Sequence, residues 1–105
     1  MIHHIENGQI ISEVLKTDKL VIIDFFATWC GPCQMLTPVL QSIDKKYVGE
    51  VEIYKVNVDE SQENAIRYGV NAMPTLIFFK DGEEIERQVG YMDEEELSKL
   101  VEEIK

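Results

Sequence analysis

Apolar and polar positions along the chain recur at two periods, and the changes of period divide it into strands and helices. Ile2–Ile5 reads as a short opening strand, with Asn7 and Gly8 as turn and cap residues. Ile10, Ile11, Val14 and Leu15 fall on one face of a short helix. Leu20–Ala27 is apolar on both faces apart from Asp24, the pattern of a central strand covered on two sides. Met35, Leu36, Val39, Leu40, Ile43 and Tyr47 then recur at helical spacing, in a helix that begins around Gly31-Pro32. Pro38 within it lacks an N–H and crowds the preceding turn, which predicts a kink.

Tyr47-Val48-Gly49-Glu50 ends that helix, and Val51–Val58 is the next strand. Asp59 and Gln62 have capping-box spacing and open a short helix running to about Tyr68, which Gly69 closes in a left-handed conformation. Thr75–Phe79 is another buried strand, Asp81-Gly82 a hairpin turn, and Glu84–Val89 the antiparallel return. Asp93 with Glu96 again has capping-box spacing, ahead of a stripe of Leu97, Leu100, Val101 and Ile104. The acidic run Asp93–Glu96 is read as a solvated, dipole-stabilised first turn. The order of elements predicts an α/β fold: a central mixed β-sheet of about five strands flanked by about four helices.

At 105 residues the chain is read as one domain spanning residues 1–105, with no internal repeat or linker. A net charge of −10 argues against nucleic acid as a partner, because binding phosphate requires facing positive charge. The same charge argues against anionic membranes. Met1-Ile2-His3-His4-Ile5-Glu6 lacks the basic start and apolar core of a secretory signal, and no apolar run approaches the ~20 residues of a membrane span. We therefore expect a monomer in the cytoplasm. His3 and His4 have no cysteine or acidic pair at ligand spacing, and two cysteines cannot complete a structural zinc site, so no metal is expected.

Those two cysteines, Cys30 and Cys33, occupy Trp29-Cys30-Gly31-Pro32-Cys33, where the buried strand hands over to a helix. Thiol–disulfide exchange needs a thiolate, and a helix N-terminus favours one through unpaired N–H groups and its partial positive charge. Cys30 near the cap gains most of that help and stays accessible, while Cys33 packs one turn further in. Pro32 suits the first helical turn and stiffens the loop between the sulfurs. The asymmetry suggests an attacking thiolate at Cys30 and a resolving thiol at Cys33.

This motif, with Asp24, Pro38, Lys55, Met73-Pro74-Thr75 and Gly90 in that order, resembles the thioredoxin family over essentially the whole chain. The resemblance implies the thioredoxin fold and a reducing role, since the Gly-Pro pair is typical of reducing members and related oxidases and isomerases carry a histidine there. Buried Asp24 is open to two readings: a structural aspartate satisfied by a neighbour, or a proton acceptor for Cys33. The family's aspartate at this position has the second role. By strand pattern Lys55 is a solvent-facing lysine, whereas the resemblance places it close to Asp24, modulating its titration. Pro74 would ordinarily be trans; the resemblance implies a cis bond packed against the cysteines, with Met73 offering its N–H and C=O to an extended substrate. Trp29, Gly31, Pro32, Ala72, Met73, Val89, Gly90 and Tyr91 would form an apolar rim around the pair. Phe26 departs from the pattern, standing where many members have a second tryptophan, and its missing indole N–H bears on packing beside the site and on reductase choice.

The function the resemblance implies is general protein-disulfide reduction: clients with disulfides are reduced by the Cys30–Cys33 pair, which a thioredoxin reductase drawing on NADPH or on ferredoxin restores. Such a chain is an electron carrier, and needs no bound cofactor because the electrons reside in the sulfurs. Two alternatives remain: a disulfide oxidase or isomerase, and a non-catalytic binding subunit that uses the apolar rim.

Overall fold

A computed structural model describes residues 1–6 and 8–105; Asn7, read above as a turn residue, lies outside the described residues. In chain order the elements are β1 (Ile2–His4), α1 (Ile11–Val14), β2 (Leu20–Phe26), α2 (Gly31–Lys46), β3 (Val51–Asn57), α3 (Gln62–Arg67), β4 (Thr75–Lys80), β5 (Glu83–Val89) and α4 (Glu94–Ile104). The five strands form one sheet in the order β1-β3-β2-β4-β5. β3 pairs in parallel with both β1 and β2, whereas β4 pairs antiparallel with β2 and β5. The expected α/β fold with a mixed sheet is therefore present, and β2 is its middle strand.

Alternation along the strands divides the core into two layers. Leu20 and Ile22 of β2 point with Val51, Ile53, Leu76 and Phe78 into the layer filled by Leu36, Leu40 and Ile43 of α2 and Leu97 and Val101 of α4. Val21, Ile23 and Phe25 point the other way, with Val56, Ile77 and Phe79, against Ile11 and Leu15. Tyr47, at the end of α2, ties the two helices of the first layer together: its hydroxyl donates to Glu102 Oε2 at 2.7 Å and lies 3.1 Å from Ser98 Oγ. Asp24 has the parity of Leu20 and Ile22, so it points under α2. Lys55 has the parity of Ile53 and points to the same layer, not to solvent as strand pattern alone suggested.

The turn chemistry follows the sequence closely. Asp81 and Gly82 both have positive φ, 52° and 81°, as a two-residue hairpin twisted to match its strands requires. Asp93 and Glu96 form the reciprocal capping box at the start of α4. The helix α2 runs through Pro38 from Gly31 to Lys46.

Three expectations need correction. Ile10 precedes the first helical residue in an extended conformation, so it never joins the α1 face and remains half exposed. Met35 lies at the margin of the stripe set by Leu36, Leu40 and Ile43, and is exposed. No capping box forms between Asp59 and Gln62: α3 starts two residues later than that spacing requires, with Ser61 at the cap position and no side-chain bond to the helix.

Leu40 is fully buried between the sheet and α2, so Leu40→Ala is expected to cost about 2–5 kcal/mol. Asp93→Ala, which removes an exposed cap, is expected to cost about 1 kcal/mol. Urea denaturation of both variants checks the ranking; an equal or smaller loss for Leu40→Ala would contradict this description of the core.

Candidate active site

β2 ends at Phe26, a short turn carries Thr28 and Trp29 to the surface, and Cys30 takes the N-cap position of α2. The turn is tied back by Gln34, whose side-chain N–H donates to the Thr28 carbonyl at 3.0 Å. Cys30 is extended (φ −97°, ψ 112°), and its sulfur accepts a hydrogen bond from the Cys33 amide at 3.2 Å. A sulfur thus occupies the place where an N-cap oxygen usually satisfies the first free amides of a helix. Cys30 and Cys33 are joined as a disulfide with their Cα atoms 5.3 Å apart. Both residues are largely covered, Cys30 being 7% exposed and Cys33 2%. The expected order of accessibility holds, but Cys30 is more enclosed than a cap position alone would make it.

The cover is the segment before β4. The Met73–Pro74 bond is cis, and the Met73 carbonyl lies 3.7 Å from the Cys30 sulfur. Two hydrogen bonds hold this segment: Thr75 Oγ1 donates to the Ala72 carbonyl at 2.6 Å, and the Gly90 amide donates to the Pro74 carbonyl at 2.8 Å. Gly90 makes its bond at φ 97°, a conformation that side chains resist. Among the described residues, the Met73 amide has no hydrogen-bond partner. Around the pair, Trp29, Val89 and Tyr91 are exposed apolar residues, as are Gly31 and Pro32 at the start of α2. The cis bond at Pro74 is the one the resemblance implied.

Asp24 is fully buried, and neither carboxyl oxygen has a hydrogen-bond partner. Its register partner Lys55 places its ammonium 3.9 Å from Oδ2, near enough to attract and too far to hydrogen-bond. Loss of hydration raises the carboxyl from its ordinary 3.8 to about 7, against the opposing pull of Lys55. Lys55 and Cys33 line one cleft of about 230 Å³ together with Phe26, Ala27, Thr28, Gln34 and Thr37. The sequence-derived residues Asp24, Lys55, Trp29, Cys30, Gly31, Pro32, Cys33, Met73, Pro74 and Gly90 are thereby gathered at one end of the sheet.

The family model described as Thioredoxin matches residues 2–103. The chain belongs to the thioredoxin family. It is 52% identical over 97 residues to the thioredoxin of Chlamydia trachomatis, covering 89% of this chain and 94% of that one. With the thioredoxin of Bacillus subtilis it shares 46% over 85 residues, covering 81% and 82% of the two chains. Among solved structures, Fasciola hepatica thioredoxin superposes with a TM-score of 0.88 at 35% identity, covering 98% of this chain and 99% of that one. Family membership and the Cys30–Cys33 disulfide make this a dithiol–disulfide oxidoreductase with a redox-active centre. Among the described residues no helix is long and apolar enough to cross a membrane.

One member of the site escaped the sequence reading. The indole N–H of Trp29 donates to Asp59 Oδ2 at 3.0 Å, across 30 positions of sequence. Asp59 therefore steadies the exposed Trp29 ring and does not cap α3. Its spacing to Gln62 was a coincidence, and nothing local in the sequence announces the longer contact.

Burial of Asp24 makes the fold's stability depend on pH. The folded protein holds this proton up to about pH 7, while the unfolded chain releases it near 3.8, so the native state binds more protons between those values. Stability should fall as pH rises through that window and then level off, a total of about 4 kcal/mol from a shift of this size. Asp24→Asn should abolish this slope and be the more stable protein above pH 7. Urea denaturation of the oxidised forms between pH 4 and 8 checks this; parallel pH profiles for the two proteins would contradict it.

Proposed function

We propose that this protein is a general protein-disulfide reductase, acting as a single thioredoxin domain over residues 1–105, as a monomer, in the cytoplasm. The observation that carries the reading is the Cys30 sulfur at the N-cap of α2, bonded to the Cys33 amide and facing the Met73 carbonyl. A sulfur so placed is stabilised as a thiolate once the pair is reduced. No histidine stands between the cysteines, which favours reduction over the oxidase and isomerase reading.

In the first step the Cys30 thiolate attacks one sulfur of a client disulfide. That S–S bond breaks, a client thiolate leaves, and Cys30 is joined to the client. The client backbone pairs with Met73, and its flanking side chains rest on Trp29, Gly31, Pro32 and Gly90. Pro74 keeps the Met73 groups turned toward the sulfurs. In the second step the Cys33 thiol gives its proton to the Asp24 carboxylate, directly or through water in the adjoining cleft. The Cys33 thiolate then attacks the Cys30 sulfur, the mixed disulfide breaks, and the second client thiolate leaves. The client gains two electrons, its two thiolates take up protons from Asp24 and from solvent, and the Cys30–Cys33 disulfide is formed.

A carboxyl titrating near 7 is well matched to that transfer, since it is ionised often enough to act and basic enough to take the proton. Burial sets how basic it is, and Lys55 tempers that. A thioredoxin reductase returns two electrons to the pair and completes the cycle. The binding-subunit alternative has no specific observation in its favour.

Cys33→Ser should still attack and should accumulate a stable mixed disulfide between Cys30 and an oxidised test protein, visible by mass spectrometry. Cys30→Ser should form none. Client reduction that persists in the double variant Cys30→Ser, Cys33→Ser would overturn the mechanism.

A further inference from the structure

Asp24 and Lys55 stand opposite one another on β2 and β3, on the face that α2 covers. Their side chains are 0% and 10% exposed, so each charge is deprived of most of its water. Opposite charges in that position gain most from direct, hydrogen-bonded contact. Yet the nearest approach is 3.9 Å, and both oxygens of Asp24 remain without a hydrogen-bond partner.

Two other groups engage the ammonium. It donates to Thr37 Oγ1 at 3.2 Å, and it lies 4.6 Å from the centroid of the Phe26 ring. The second contact is within range of a favourable cation–π interaction. Thr37 sits one turn beyond Cys33 on α2, and Phe26 is the last residue of β2. Both line the cleft shared by Lys55 and Cys33. The ammonium thus has a hydroxyl and a ring in closer engagement than the carboxyl.

We propose that Thr37 is a positioning residue whose hydroxyl, with the Phe26 ring, holds the Lys55 ammonium beside Asp24 but out of hydrogen-bond range. The arrangement keeps Lys55 as an attenuated influence. In direct contact the ammonium would pin Asp24 in its ionised form and make it a poor acceptor for a proton from Cys33. That catalytic consequence rests on the reductase reading above, whereas the geometric claim does not.

The charged or titratable groups bearing on Asp24 are few. Lys55 comes from β3 and is the charge that acts on Asp24; Cys33 of α2, a thiol only in the reduced form, lines the cleft with Lys55, and the β4 partner Leu76 is apolar. In the oxidised protein Cys33 cannot titrate, so Lys55 is the one charge lining the cleft.

The test is a carbon-13 NMR titration of the Asp24 carboxyl in the oxidised protein. Thr37→Val keeps the shape and removes the hydroxyl, so the ammonium closes on the carboxylate and the midpoint should fall by about one pH unit. Thr37→Ser keeps the hydroxyl and should leave the midpoint within a few tenths of the original value. Phe26→Leu removes the ring and should move the midpoint in the same direction as Thr37→Val. In a Lys55→Met background Thr37→Val should have no effect, because the group it positions is gone.

An unchanged or raised midpoint in Thr37→Val or Phe26→Leu would overturn the proposal. So would a fall in Thr37→Ser as large as that in Thr37→Val, which would mean that packing and water entry are responsible. A shift that survives in Lys55→Met would do the same. Because the titration uses no client and no reductase, its failure leaves the reductase reading standing, and failure of client reduction leaves the titration unaffected.

Discussion

The first amides of α2 need an electron-rich partner, and the Cys30 sulfur supplies it. That single bond fixes where the reactive sulfur lies, which residue stands one turn behind it, and which form of the sulfur the fold prefers. It works only because β2 delivers the chain to that point. The strand is the middle one of five, buried on both faces, and paired with β3 and β4 along its length. A helix start anchored to such a strand has little freedom to move. Cys33 and the buried Asp24 are therefore placed by the same frame.

The cost of that frame is concentrated in Asp24. Every other inward residue of β2 is apolar, and no protein group among the described residues hydrogen-bonds the carboxyl to offset its burial. A structural aspartate would be expected to find a donor among its neighbours. Its lack of one, together with a lysine held just short of contact, is the arrangement that leaves a carboxyl able to gain and lose a proton near neutrality. Stability is given up at this one inward position of β2, which separates Asp24 from the apolar residues around it.

Most of this was legible from the sequence because the signals were local. The switch of period at Gly31, the paired cysteines, Asp81-Gly82 and the Asp93–Glu96 box each report on their immediate surroundings. The resemblance then carried the cis bond at Pro74 and the approach of Lys55 to Asp24, neither of which pattern alone supplied. What remained hidden depends on contacts between distant segments. Asp59 was misread because its local spacing imitates a cap, while its partner Trp29 lies in another loop. Thr37 carries no sequence signal, since a threonine on a helix becomes significant only when β3 sets Lys55 beneath it. Phe26 was noted for the indole it lacks. Its ring proves to matter for the ammonium it faces.

The central claim is that this helix start stabilises the Cys30 thiolate enough to make it reactive, yet not so strongly that the reduced form wins and the pair becomes an oxidant. Its reduction potential tests that most directly. The protein can be equilibrated in graded thiol/disulfide buffers while the fluorescence of Trp29, the only tryptophan and next to Cys30, reports the state of the pair. A potential more reducing than the cytosolic glutathione pool is the predicted result. A value in the oxidising range would contradict the account and make the pair a donor of disulfides.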